Sequence, residues 1–331
     1  MTTPASQPNH RPDAAPAETQ AESCAYGVVL PVYNEEACLR DIVQRVETAL
    51  KTLGKDYEII LVDDGSSDNT WPIIEHLHTG NQRVKGIRFL RNFGHQTAIF
   101  AGLSKCRSRY IAVMDADGQD PPEILPELFK TCAQGYDVVY AVRKNRKEGF
   151  LKRFAYRLFY RCFQRIVSFQ VPLDSGDFSV FTREVAQFIR ALPEKNPFIR
   201  GLRSWYGGKQ IGVAFERQKR IAGKPKYGFL KLFHLAVTAS ISFSKFPLKL
   251  ISGTGICLSL ASFLTGLLIL AYKILNGIAP WGWTSTTILI IFFGGLNLFV
   301  LGIIGEYIGA IYDEVKNRPN YLIGKSIGFD A

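Results

Sequence analysis

The chain has 331 residues, of which 40 are Lys or Arg and 29 Asp or Glu, for a formal net charge of +11. With 47% apolar and 21% charged residues it is not a disordered chain, a collagen-like chain or a disulfide scaffold, and its length suggests roughly two domains. Charge and apolar character are segregated. Residues 143–165 hold nine Lys/Arg against one Glu, whereas 250–272 and 274–305 carry no charge. A soluble enzyme rarely has two such stretches, so a membrane protein with a large soluble part is expected.

Residues 1–24 lack an apolar signal segment. Pro4, Pro8, Pro12 and Pro16 block helix there and predict a disordered tail. A soluble unit follows over 25–230. YGVVLP (26–31) reads as a buried strand ended by Pro31. Leu39, Ile42, Val43, Val46 and Leu50 share one face of a helix over 36–53. YEIILVDD (57–64) is a second strand ending in two acids, GSSDNT a turn, and Trp71 to Leu77 a helical stretch. VKGIRFL (84–90), RYIAVMDAD (109–117) and YDVVYAV (136–142) read as further strands, with a helix near 96–105. The alternation predicts an α/β fold whose mostly parallel sheet is covered on both faces. The six cysteines make no CxxC pair and have no His at zinc spacing, so free thiols in a reducing compartment are expected.

Ligands on such sheets bind beyond the carboxyl ends of the strands. Tyr33-Asn34-Glu35, Asp63-Asp64 and Asp115-Ala116-Asp117 would therefore collect on one rim. Any one carboxylate there could be a solvated turn residue; three acidic strand ends together are harder to explain that way. Asp115 and Asp117 project to one side of an extended segment. Two oxygen donors close together suit a hard divalent cation, and Gln119 could add a neutral oxygen. No Walker loop and no GxGxxG follows the first strand, which disfavours an NTPase or a dinucleotide enzyme.

VVLPVYNEE (28–36), EIILVDDGSSDNT (58–70), RNFGHQTAIFAGL (91–103) and VMDADGQDPPE (113–123) together resemble a GT-A glycosyltransferase of family 2, the inverting, nucleotide-sugar-dependent kind. More narrowly they resemble the polyprenyl-phosphate glycosyltransferases, typified by dolichyl-phosphate mannose synthase and the bactoprenol glucosyltransferases. LDSGDFSVF (173–181), RIAGKPKYG (220–228) and GEYIGAIYDEVKNRPNYLI (305–323) extend the resemblance over nearly everything after residue 25. It implies a Rossmann-like GT-A catalytic domain followed by two transmembrane helices. Pro31, Tyr33, Glu35 and Asp64 would hold the nucleoside, and Asp115 would lie on the ribose and diphosphate side. Asp117 and Gln119 would ligate Mg²⁺ or Mn²⁺. Arg143 and Arg153 would meet the acceptor phosphate, and Arg220 and Lys226 would close over the donor phosphates. Asp174 or Asp177 would assist or orient the sugar. Pro225 stands where the family loop often has Ser. The implied activity is transfer of a sugar, best matched by glucose from UDP-glucose, to undecaprenyl phosphate for cell-envelope glycan modification. A processive polysaccharide synthase and a non-catalytic membrane scaffold are the alternatives; Arg200 to Trp205 does not fit the QxxRW motif of the former.

Near 150–169, Arg153, Arg157, Arg161 and Arg165 run beside Phe154, Leu158, Cys162 and Ile166, the pattern of a basic amphipathic helix lying on an anionic membrane surface. A surface helix packed on the sheet is the alternative, and nucleic acid is not expected. After a juxtamembrane segment (231–248), 249–273 and 285–307 read as two spans joined by a link with Trp281 and Trp283. Lys245 and Lys249 precede the first span, and Lys316, Arg318 and Lys325 follow the second, within a tail over 308–331. The link has only Lys273. This places the catalytic domain and both termini in the cytoplasm, on a bacterial inner membrane. Gly253-Thr254-Gly255 and Gly294-Gly295 leave a homo-oligomer open.

Overall fold

The computed structural model describes residues 24–143, 175–192, 194, 197–215, helical positions scattered between 254 and 275, and 282–329. The N-terminal tail to residue 23, the stretch 150–169 expected as an amphipathic helix, the segment 231–248 and much of 249–273 lie outside the described residues.

Strands β1 (Tyr26–Val32) and β2 (Tyr57–Asp63) are buried at every position, as a central strand covered on both faces must be. Their side chains alternate between two cores. Val28, Leu30, Ile59 and Leu61 pack on one face with helix α1 (Leu39–Lys51), α2 (Thr70–Gly80) and α4 (Leu125–Ala133). Val29, Ile60 and Val62 pack on the other with α3 (His95–Lys105), α5 (Arg183–Ala191) and α6 (Ile199–Tyr206). Helix α3 lies hard against β1, because a Cβ at Gly102 would run into Val29 and Val62.

Eight strands form one sheet in the order β7-β5-β6-β4-β1-β2-β3-β8. The remaining strands are β3 (Val84–Phe89), β4 (Tyr110–Val113), β5 (Val138–Arg143), β6 (Ser175–Thr182), β7 (Gln210–Phe215) and β8 (Ile323–Ile327). β4, β1, β2 and β3 are mutually parallel, as expected. The sheet as a whole is mixed: β6 enters antiparallel between β4 and β5, and β8 is antiparallel to β3. β1 does not end at Pro31 but runs on to Val32. Proline survives there because the carbonyl of Val29 accepts from Met114, so this side of β1 faces β4, which has already ended at Val113.

Helix α7 (Trp283–Val315) has 33 residues, about 50 Å at 1.5 Å per residue. Its Phe292–Val315 part is long and apolar enough to cross a membrane, the one such helix among the described residues. The expected span ended at 307, where Glu306 interrupts the apolar run. The helix continues because its backbone hydrogen bonds do not require apolar side chains.

After α7 the chain turns at Asn317 (φ 46°) and returns to the catalytic sheet. Asn320 Nδ2 donates to the Glu194 carbonyl at 3.1 Å. The Tyr321 ring stacks on Phe89 at 5.0 Å, and Leu90 N donates to the Leu322 carbonyl at 3.0 Å. β8 then pairs with β3. The stretch over 308–331, expected as a plain tail, thus holds the last turns of a helix and an edge strand.

Candidate active site

The strand order reverses at β1: β2 and β3 lie to one side and β4 to the other. Ligands favour the crevice at such a reversal, beyond the carboxyl ends. Tyr33 and Glu35 follow β1, Asp64 follows β2, and Asp115, Asp117 and Gln119 follow β4, so the fold brings these sequence-predicted residues to one rim.

Hydrogen bonds lock the loops of that rim together. Asn34 adopts φ 55°, a left-handed conformation that Asn tolerates better than most residues. Its N–H donates to Ser66 Oγ at 2.9 Å, and its side-chain oxygen accepts from Ser67 N at 2.9 Å. Glu35 N donates to Thr70 Oγ1 at 3.0 Å. Across the crevice, the buried Cys38 thiol lies 3.2 Å from the Ala116 carbonyl oxygen and 3.3 Å from Glu35 Oε2. Burial, reinforced by Glu35, pushes its pKa up to about 12, so it stays a thiol and ties the β1 loop to the β4 loop. Tyr33 is 38% exposed, whereas Pro31 is buried within β1.

Asp64 has a definite task within the protein. Its two oxygens accept from Phe93 N (2.6 Å) and Gly94 N (3.0 Å), the residues that lead into α3. Burial outweighs these bonds and raises its pKa. Burial likewise raises the neighbouring Asp63, which accepts from Ser66 N at 2.8 Å and faces Arg88 Nε at 3.4 Å. Gly65, at φ 71°, is required because a Cβ would strike the backbone of Arg91 and Asn92.

Strand β4 ends at Val113, so Asp115 and Asp117 are set by a turn and not by strand alternation as expected. Gln119 N donates to Asp117 Oδ1 at 3.1 Å, the closure of an Asx turn around Gly118. Asp115 Oδ1 faces His95 Nε2 at 3.3 Å. The same nitrogen lies 3.5 Å from Oδ2 of Asp177 on β6. Burial acts to lower the His95 pKa, but Asp177 and Asp115 outweigh it and push it up to about 9. Burial acts to raise Asp177, but Arg200, His95 and Arg203 overcome it and hold its carboxyl far below the usual range. Arg203 is itself buried: Nη1 donates to Ser179 Oγ at 2.7 Å and Nη2 to the Gly176 carbonyl at 3.0 Å, bracing β6 beneath Asp177.

The structure therefore adds His95, Arg200, Arg203 and Cys38 to the predicted set. His95 stands within RNFGHQTAIFAGL, but no spacing in the sequence ties it to Asp115 or Asp177. Arg143 ends β5, and its side chain lies outside the described residues, as do Arg153, Asp174, Arg220 and Lys226.

No group of three His, Cys, Asp or Glu side chains among the described residues is arranged to hold a metal ion. Asp117 and Gln119 supply at most two or three oxygens. That is compatible with a hard cation taking its remaining ligands from water and a bound diphosphate.

The model of glycosyl transferase family 2 matches residues 27–190. The uncharacterized glycosyltransferase YkcC of Bacillus subtilis (strain 168) is 42% identical over 306 residues, 92% of this chain and 95% of the relative. The SfII prophage-derived bactoprenol glucosyl transferase of Shigella flexneri is 38% identical over 300 residues, 90% of this chain and 97% of the relative. Among solved structures, glucosyl-3-phosphoglycerate synthase from Mycobacterium tuberculosis, in complex with Mn²⁺ and UDP-glucose, aligns at a TM-score of 0.44 and 18% identity, covering 66% of this chain and 77% of that one.

Proposed function

The chain belongs to glycosyl transferase family 2 and is a nucleotide-sugar glycosyltransferase, and on that premise we propose that it transfers glucose from UDP-glucose to undecaprenyl phosphate at a bacterial inner membrane. One observation carries the choice of acceptor. The likeness to a bactoprenol glucosyl transferase runs over 300 residues, far more than the family domain alone.

The chemistry follows from the charges. A phosphate oxygen of the acceptor attacks the anomeric carbon from the face opposite the leaving diphosphate; one C–O bond forms as the other breaks. A phosphomonoester has a second pKa of about 6, so the nucleophile is largely ionised at neutral pH and needs no strong base. The obstacle is repulsion between two anions and charge build-up on the leaving group. Fixed cations answer both without moving a proton. Arg143 and Arg153 are proposed for the acceptor phosphate, and Arg220 and Lys226 for the donor phosphates. Tyr33, Glu35 and Asp64 serve the nucleoside, Asp115 the ribose and diphosphate side, and Asp174 or Asp177 the sugar. A Mg²⁺ or Mn²⁺ ion held by Asp117 and Gln119 would supply further neutralisation of the diphosphate.

The membrane reading is two spans, with the catalytic domain and both termini on the cytoplasmic side. It is supported by the return of the chain after α7. Asn320, Tyr321 and β8 pack on the soluble domain, which favours a carboxyl end of the apolar helix on the same side of the membrane as the rim. A helix crossing from the other side needs an earlier span, and the uncharged run over 250–272 can supply it. The basic stretch over 143–165 would then face anionic lipid.

The test is incubation of the purified full-length protein with undecaprenyl phosphate and a panel of nucleotide sugars, with mass spectrometry of the extracted lipid. The reading expects a lipid heavier by one hexose with UDP-glucose. A polymer of sugars, or no lipid-linked sugar with any donor, would overturn it.

A further inference from the structure

β4 and β6 are antiparallel, with Val113 facing Ser179 at the last paired position. Beyond it, the turn after β4 brings Asp115 and strand β6 brings Asp177 to the same imidazole, and two like charges so close repel. His95 lies between them, with Nε2 at 3.3 Å from Asp115 Oδ1 and 3.5 Å from Asp177 Oδ2. This contact uses one ring nitrogen. The other, Nδ1, makes no hydrogen bond or ion pair among the described residues, and 36% of the side chain is exposed.

The Asp177 carboxylate is differently placed. Its Oδ2 is shared by His95, by Gln96 Nε2 at 3.2 Å and by Arg200 Nη2 at 3.4 Å. Its Oδ1 is buried and has no hydrogen-bond partner among the described residues. A general base must offer a lone pair to the proton it takes. Here one oxygen is crowded by three donors and the other is shut away from solvent.

We propose that His95 is a cationic contact for a phosphate group of the reaction, aimed into the rim by Asp177, which is a positioning residue and not a base. The inference rests on the glycosyltransferase reading above. The free Nδ1–H offers a charge-assisted hydrogen bond to a phosphate oxygen. His95 is also the first residue of α3, where a cation sits against the helix dipole, and an arriving anion relieves that opposition. The phosphate belongs either to the donor diphosphate or to the lipid acceptor.

The test uses the full-length protein in detergent, with UDP-glucose and undecaprenyl phosphate varied independently, and with UDP binding measured by calorimetry. His95→Gln should raise the KM of one substrate, or lower kcat, by about tenfold or more, the scale of one hydrogen bond to a charged group. A matching loss of UDP affinity assigns the contact to the donor. Unchanged UDP affinity with a raised KM for undecaprenyl phosphate assigns it to the acceptor. His95→Lys, which keeps a cation, should recover most of the loss. Asp177→Asn should reproduce the His95→Gln defect, and in the double variant the two losses should not add. Kinetic constants of His95→Gln all within twofold of wild type overturn the proposal, whatever happens to its melting temperature. So does a collapse of kcat in Asp177→Asn beside near-normal His95→Gln, the signature of a base. If the wild type moves no sugar to lipid, the glycosyltransferase reading fails. Binding of UDP and of undecaprenyl phosphate, compared between wild type and His95→Gln, then still decides the contact, and no change in either overturns it.

Discussion

Strand β2 carries one buried carboxylate near its start and another at its far end, with a third, Asp64, directly after it, and they are treated differently. Glu58, near the amino end, accepts from Lys85 Nζ (2.9 Å), Arg107 N (2.9 Å) and Ser108 Oγ (2.8 Å), with Cys106 Sγ at 3.4 Å. Burial acts to raise its pKa, but these partners outweigh burial and hold it below the usual value. Asp63 and Asp64, at the carboxyl end, have fewer compensating partners, and burial raises both. The amino end of the sheet is an internal staple whose carboxylate is complete. The carboxyl end keeps its acids at a cost, bonded to the backbone of the loops that follow β2 and lead to His95. Local rules are broken most often where a protein does its chemistry, which agrees with the rim as the proposed site.

The comparison breaks most visibly on metal removal. EDTA should lower sugar transfer by at least about 10²-fold, since the leaving diphosphate loses its neutralising ion. The melting temperature should stay put, because Glu58 and the two cores need no metal. Glu58→Gln should do the reverse. It removes one partner of a buried ion pair and should cost about 3 kcal/mol in urea unfolding, while transfer per folded molecule stays within twofold. An unaltered unfolding midpoint would mean that the staple is decorative. Asp64→Asn should fall between the two. Putting an amide NH2 where one acceptor oxygen stood leaves the Phe93 or Gly94 N–H without its acceptor, which costs about 1–2 kcal/mol and loosens the entry to α3, so both stability and transfer should drop.

The smallest effect is on pH dependence, and the two ends differ in sign. Glu58 has a depressed folded pKa. Its contribution to stability is present above the unfolded value near 4.5 and is lost as pH falls through the folded value. Asp63 and Asp64 have raised folded values, so their ionisation opposes folding. That opposition is absent below about 3.8 and complete above their folded pKa. Acid should therefore weaken the staple and relieve the rim, which Glu58→Gln and Asp64→Asn unfolding series across pH 3–6 would separate. The raised pKa of His95 makes its contribution complete below about 6.5 and lost as pH rises through about 9. Transfer should decline above pH 9 in the wild type and later in His95→Lys, whose amine titrates at about 10.4.

The parallel half of the fold was legible because each strand there is a continuous apolar run between turn signals. α1 was legible because Leu39, Ile42, Val43, Val46 and Leu50 repeat at helical spacing, and all five are buried. The gathering of Glu35, Asp64, Asp115 and Asp117 followed from the rule about strand ends alone. Other features could not be read locally. β6 owes its direction to the partners it enters between. β8, IGKSI, is short and mostly exposed, and only pairing with distant β3 makes it a strand. His95 meets Asp115 and Asp177 only because the turn after β4 and strand β6 both come up to the start of α3, which no local pattern carries. The proposed acceptor arginine Arg153 lies outside the described residues, so its place rests on the resemblance.

The most direct test of the account is sugar transfer per folded molecule in Asp117→Asn, measured with UDP-glucose and undecaprenyl phosphate on the full-length protein. The account predicts a fall of at least about 10²-fold at an unchanged melting temperature, since a ligand to the leaving-group ion is lost while the fold is not. Transfer within a few-fold of wild type would contradict the assignment of the chemistry to this rim.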